Sequence, residues 1–189
     1  MTVYYQIITD WDDAAIQLRP TWSTTLDDLF PLVSSKLTRL YFEDIVLGDE
    51  DRDVLWSMGE IMIINDRVLE LFKSAALTGW VAIPVTILRC KANLGERYAL
   101  RVDGEVVGFD YSLSVPDSSS ASSLPDRPRR IGLLFFKGEE PTTDFINTHY
   151  GIMVSERVRQ LMLQQKVTGV RFVQQTDAGN YGIPDGVAM

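Results

Sequence analysis

The chain has 189 residues, 46% hydrophobic, 23% charged and 10% aromatic, the profile of an ordinary globular domain. Its 18 Lys and Arg against 26 Asp and Glu leave a net charge of −8, opposite to the basic face that neutralises phosphates, so composition argues against nucleic acid and for a basic protein partner. No apolar run approaches the roughly 20 residues of a membrane span, the start lacks a basic secretory opening, and one cysteine with one histidine precludes an internal disulfide or a multi-ligand zinc site. The expectation is a cytoplasmic protein with no cofactor and no membrane or nucleic-acid partner.

Val3 to Ile8 is rich in aromatic and β-branched residues and predicts a strand, closed by Asp10-Trp11-Asp12-Asp13. Leu26, Leu29, Phe30, Val33 and Leu37 have helical spacing, interrupted by Pro31. Leu40-Tyr41-Phe42 predicts a strand. The chain then turns acidic: between Glu43 and Asp53 six acids meet one base, Arg52. Asn65 is an N-cap residue, and Val68, Leu71, Phe72, Ala75 and Ala76 form one apolar helix face that Thr78-Gly79 ends, with Gly79 as the left-handed cap. Trp80–Leu88 predicts a buried strand bent or edged at Pro84. Tyr98–Val102 and Glu105–Phe109 flank Asp103-Gly104, which suits a type I′ turn and predicts a β-hairpin over 98–109. Residues 116–130, with one large apolar side chain, predict a mobile loop. Ile131–Phe136 resumes as a strand, and 174–189 reads as a flexible tail.

The segment from Ile45 to Ile83 repeats 90 residues later. Gly48 falls on Gly138, Glu50 on Glu140, Arg67 on Arg157, Val68 on Val158, Leu71 on Leu161, Thr78 on Thr168 and Gly79 on Gly169. Asn65 meets Ser155, both N-cap types, and Asp66 meets Glu156, both suited to the positive end of a helix dipole. Each copy reads as strand, capped helix, Thr-Gly stop and strand, with the second helix running from Glu156 to about Lys166 and the last strand over Val170–Val173. The expected fold is α/β, with α+β as the alternative: a single domain over 1–173, a mixed sheet with two packed helices in a weak internal repeat, and repeat units at about 45–88 and 135–173.

The motif Ile152-Met-Val-Ser-Glu-Arg-Val-Arg-Gln-Leu161, followed by Val167-Thr-Gly-Val-Arg-Phe-Val173, resembles the closing signature of a family of bacterial immunity proteins. That family neutralises toxins of polymorphic and contact-dependent systems and includes the myxobacterial double-CxxCG proteins. The Tyr4-Tyr5 strand, the capped helix before Gly79 to Pro84, and the Tyr98-x-Leu100 strand leading to Phe109-Asp110 agree with it. This chain has no CxxC, so no zinc role carries over, and only Ser112 or Ser114 loosely matches the serine expected after Asp110. The resemblance implies a stoichiometric protein inhibitor and not an enzyme.

Single residues fit that picture. His149 and Cys90 lack the partners a base or nucleophile needs, and no Gly-x-Ser-x-Gly elbow or phosphate-binding glycine loop is present. Cys90 reads as a small core residue in a strand. Asp49, Glu50, Asp51 and Asp53 are either a solvated loop or a negative surface that steers a basic toxin, a basic effector or nuclease-like domain, into place. With Asp12 and Asp13, and with Trp11 and Trp56 as aromatic anchors, they form the candidate partner-binding set. The alternatives are a small ligand-binding protein or enzyme with a pocket between the repeats, and an adaptor without a toxin.

Overall fold

A computed structural model describes residues 4–10, 14–21, 39–45, 48–57, 61–88, 90, 92–103, 115–116, 130–131, 141–148 and 151–174. The expected helix over 26–37, the second arm of the hairpin from Gly104 to Phe109, the strand beyond Ile131, and residues Trp11, Asp12, Asp13 and His149 lie outside them.

The fold is a mixed α/β arrangement of strand-rich sheets with two helices. In chain order the strands are β1 (Tyr4–Thr9), β2 (Gln17–Pro20), β3 (Leu40–Asp44), β4 (Val54–Ser57) and β5 (Ile61–Asn65). Helix α1 (Asp66–Ser74) precedes β6 (Trp80–Leu88), β7 (Arg97–Val102), β8 (Val115–Pro116), β9 (Arg130–Ile131), β10 (Phe145–Thr148) and β11 (Gly151–Ser155). Helix α2 (Glu156–Gln164) then leads into β12 (Val170–Gln174).

Six strands close a barrel in the order β2-β3-β6-β7-β5-β4, sealed by the parallel pairing of β2 with β4. Alternation along the strands divides two cores, as a period-2 pleat requires. Leu55, Ile61, Ile63, Ile83 and Ala99 point into the barrel with Leu18, Leu40 and Phe42. Their neighbours Val54, Met62, Ile64, Leu100 and Val102 point outward into a second core, which also takes Val68 and Phe72 of α1, Val158 and Met162 of α2, and Ile7, Phe145, Val154 and Phe172 of the second sheet. That sheet has the order β10-β11-β1-β12. Strand β6 keeps β7 as neighbour from Trp80 to Val85 and gains β3 from Val85 onward, so Pro84 sits where the second ladder starts and its missing N–H interrupts nothing there.

The repeat is visible as geometry. Asn65 and Ser155 cap α1 and α2, accepting from the N–H of Val68 at 3.0 Å and of Val158 at 3.4 Å. In each unit the helix is preceded by a two-strand hairpin, β4–β5 or β10–β11, where sequence pattern offers one strand. The helix stops also differ from expectation. Ala76 (φ 49°) and Lys166 (φ 50°) are the left-handed residues, with Ala76 N–H donating to Lys73 O and Leu77 N–H to Phe72 O, and Lys166 and Val167 doing the same in α2. The helices therefore end at Ser74 and Gln164, and Ala76, turned out of the helix, is exposed and not on its apolar face.

Three further corrections concern segment ends. Gln174, the expected first residue of the tail, is a strand residue of β12 paired with Tyr5, and residues 175–189 are outside the described set. Pro116 and Arg130, the ends of the expected loop, are strand residues paired across β8 and β9, and residues 117–129 are outside the described set. Cys90 is half-buried beyond the end of β6 and packs on the barrel core, so it is a core-edge residue and not a strand residue.

Candidate functional site

The residues of the signature and of its earlier copy meet at two corners where the units hold each other. At one corner the Asp53 carboxylate of the first unit receives Thr168 N–H at 3.0 Å and Thr168 Oγ1–H at 3.1 Å from the second. The Asp53 N–H in turn donates to Thr168 Oγ1 at 3.0 Å. Asn65 Nδ2 (2.9 Å), Arg67 Nε (3.0 Å) and Arg67 Nη2 complete the set, and Arg67 Nη1 reaches across to Gln165 O at 3.0 Å.

The other corner exchanges the roles of the two units. The Asp144 carboxylate of the second unit receives Thr78 N–H at 3.0 Å and Thr78 Oγ1–H at 3.3 Å, Asp144 N–H donates to Thr78 Oγ1 at 3.2 Å, and Ser155 Oγ–H (2.8 Å) and Arg157 Nη1 (3.4 Å) complete the set. Arg157 Nη2 reaches back to Ala75 O. Backbone contacts repeat too: Val54 N–H donates to Thr168 O and Phe145 N–H to Thr78 O, both at 3.1 Å. Aspartate and threonine suit this task because the hydroxyl accepts a backbone N–H while donating to the carboxylate.

The glycines after those threonines serve close approach. Gly79 (φ +85°) and Gly169 (φ +87°) lie in the left-handed region, and a Cβ on them would stand 2.4 Å from Phe145 O and 2.0 Å from Val54 O. Glycine at these positions lets one unit's backbone touch the other's, and does not cap the helix.

Burial pushes the Asp53 carboxyl up, but hydrogen bonds from Arg67, Thr168 and Asn65 outweigh it and hold the group well below the ordinary carboxylate range. The same contact with Asp53 raises Arg67. Burial raises the Cys90 thiol, away from nucleophile behaviour.

No protein-family model matches the chain, and neither does any curated protein.

Of the acidic residues singled out in the sequence, Asp12 and Asp13 lie outside the described residues, and Glu50, Asp51 and Asp53 are engaged within the chain. Arg97, the first residue of β7, is 3% exposed, and its guanidinium binds Asp51, Leu94 O (3.1 Å) and Arg52 O (2.8 Å). Arg52 pairs with Glu50 at 2.6 Å and with Asp10 at 3.9 Å, and Asp53 belongs to the corner described above. Asp49, Glu50 and Asp51 keep exposed positions, whereas Asp53 is half-buried. Trp56 is half-buried against the second core, and its indole N–H donates to Gly169 O at 2.9 Å, so it ties the two units together. The large exposed apolar side chains among the described residues are elsewhere, at Tyr41, Leu88 and Leu163. Tyr41 and Leu88 share the outer barrel face of β3 and β6, beside the Arg19–Glu43 ion pair, where alternation of the flanking core residues puts them.

Between the two units the rings of Phe72, Trp80 and Phe145 pack edge-on or tilted, with centroids 5.2 to 6.5 Å apart. Asp144 is the corner residue that sequence reasoning missed. The hairpin β10–β11 turns through two residues and β4–β5 through three, so the gapless offset sets Asp53 on Thr143; one gap would have set it on Asp144.

Proposed function

We propose that this chain is an immunity protein: a cytoplasmic, non-enzymatic inhibitor that binds a cognate bacterial toxin stoichiometrically. The observation that carries the reading is the signature itself. Ser155, Arg157, Thr168 and Gly169, and their counterparts Asn65, Arg67, Thr78 and Gly79, are all engaged in the two corners, so the residues that carry the resemblance are residues that hold this fold together. The functional reading rests on that resemblance and not on the fold, since a fold does not by itself imply a function.

An inhibitor of this kind presents a rigid surface and binds through a few anchors within a charged rim. Asp49, Glu50 and Asp51 supply exposed negative charge that speeds encounter with a basic toxin, and Tyr41 with Leu88 supplies exposed apolar area. Co-expression with the C-terminal domain of the protein encoded by the neighbouring gene tests the reading. Cells survive when the chain is present and die when it is absent; equal killing in both cases rejects it.

A further inference from the structure

Each unit takes its central strand from the other half of the sequence. In the first unit β7 lies between β5 and β6, pairing Tyr98 with Ile64 and with Pro84. In the second unit β1 lies between β11 and β12, pairing Tyr5 with Val154 and with Gln174. Ile64 and Val154 are 90 apart, as are Pro84 and Gln174, so Tyr5 and Tyr98 are equivalent residues. Leu100 and Ile7 follow at the same registers, and both strands close on an aspartate: Asp103 N–H donates to Gly79 O at 2.9 Å and Asp10 N–H to Gly169 O at 3.4 Å. The chain is thus a tandem duplication in which β1 heads the first copy and β7 the second, and the two copies have exchanged their heads.

An interface in which residue i of one copy contacts residue j of the other, and j contacts i, is the isologous arrangement of a two-fold dimer. Here it occurs within one chain, between residues 4–103 and residues 144–174: Asp53 with Thr168 and Asp144 with Thr78, Arg67 with Gln165 and Arg157 with Ala75. The halves are joined only by the connection between Asp103 and Asp144. We infer that this interface also accepts a second copy of the chain: residues 4–103 of one molecule dock on residues 144–174 of another, and the reverse, forming an exchanged dimer with the same contacts.

The contacts between residues 4–103 and 144–174 are the same in the monomer and in the exchanged dimer, so the dissociation constant follows the effective concentration that the connection imposes, on the order of millimolar. The dimer is therefore scarce at micromolar protein and abundant near about 1 mM. A longer connection lowers the effective concentration as the −3/2 power of its length, so doubling the connection strengthens dimerisation about 3-fold.

The test uses the full chain with Cys90→Ala and the pair Thr9→Cys and Val170→Cys, whose Cα atoms are register partners across β1 and β12. The protein is unfolded and refolded at about 10 μM and about 1 mM, concentrations bracketing that constant, oxidised, and separated under denaturing, non-reducing conditions. Disulfides within single chains at low concentration, giving way to disulfides between chains at high concentration, support the inference. So does a roughly 3-fold larger dimer fraction, at low occupancy, after a Gly/Ser insertion that doubles the connection. Purely intrachain disulfides at every concentration in both proteins overturn it, as does a dimer by light scattering whose disulfides remain within chains.

Discussion

The corner at Asp53 and the corner at Asp144 make the same lock from different parts. Asp53 is gripped by a two-nitrogen fork from Arg67 and by the Asn65 amide; Asp144 has the Ser155 hydroxyl and a single Arg157 contact at 3.4 Å. Both carboxylates hold the threonine N–H and hydroxyl of the opposite unit. The backbone geometry is thus conserved between the copies, while the ionic reinforcement is concentrated at one. A bidentate guanidinium–carboxylate pair is the stronger contact, and removing its carboxylate leaves more unpaired donors behind.

The largest expected effect tests what the corners share. Gly169→Ala and Gly79→Ala force a Cβ against a carbonyl oxygen of the other unit in the left-handed region, and each should cost more than about 3 kcal/mol in chemical denaturation. Gly95→Ala, at φ +62° with nothing within 4 Å of its Cβ, isolates backbone conformation and should cost only about 1 kcal/mol. Equal losses at Gly95 and Gly169 would show that approach between the units matters little.

Next comes the asymmetry. Asp53→Asn should cost about 2 kcal/mol and Asp144→Asn about 1, read as shifts in denaturation midpoint at constant slope; the reverse order would refute the comparison. The asymmetry has a pH signature. Because Asp53 is held below its ordinary value of 3.8, its contribution to stability is fully present well above that pH and is lost as pH falls through 3.8 toward the folded value. Asp53→Asn should therefore flatten the acid limb of the stability curve below about pH 5, while leaving its shape near neutrality unchanged. Trp56→Phe, which keeps the ring's packing but loses the hydrogen bond to Gly169 O, should cost about 1 kcal/mol.

The smallest effect on stability is expected away from both corners. Charge reversal of Asp49, to Lys or to Arg, should change stability by no more than about 0.5 kcal/mol, since its side chain is exposed. The same variants should slow association with a basic toxin in a salt-dependent way. An unchanged on-rate removes Asp49 from the binding surface.

Much of the frame was legible in the sequence because it rests on local rules. Asn65 and Ser155 are N-caps by chemistry, the helix faces follow their spacing, and Leu40–Phe42, Trp80–Leu88 and Val170–Val173 appear as strands. The duplication was legible because its repeats carry the same caps and the same Thr-Gly pair. The barrel was not, since the parallel contacts of β2 with β4 and of β3 with β6 join segments whose sequences carry no sign of each other. Nor was the role of Asp51, Asp53 and Trp56. Acids in a run read as a solvated face, but Arg67 and Arg97, distant in sequence, pair with two of them, and only the folded chain brings those arginines near. Glycine after a helix read as a cap because that is its commonest local use, whereas its use here is set by the opposite unit.

The central claim is that exchanged strands and reciprocal corners make the two units unfold as one. Native-state hydrogen exchange on the Tyr5 and Tyr98 amides, the equivalent residues of β1 and β7, tests it under increasing denaturant. The account predicts that both amides reach the same opening free energy and the same denaturant slope, in the parent protein and in Asp53→Asn alike. A lower opening free energy at Tyr5 alone, with Tyr98 still protected, would contradict it, because the second unit would then open without the first.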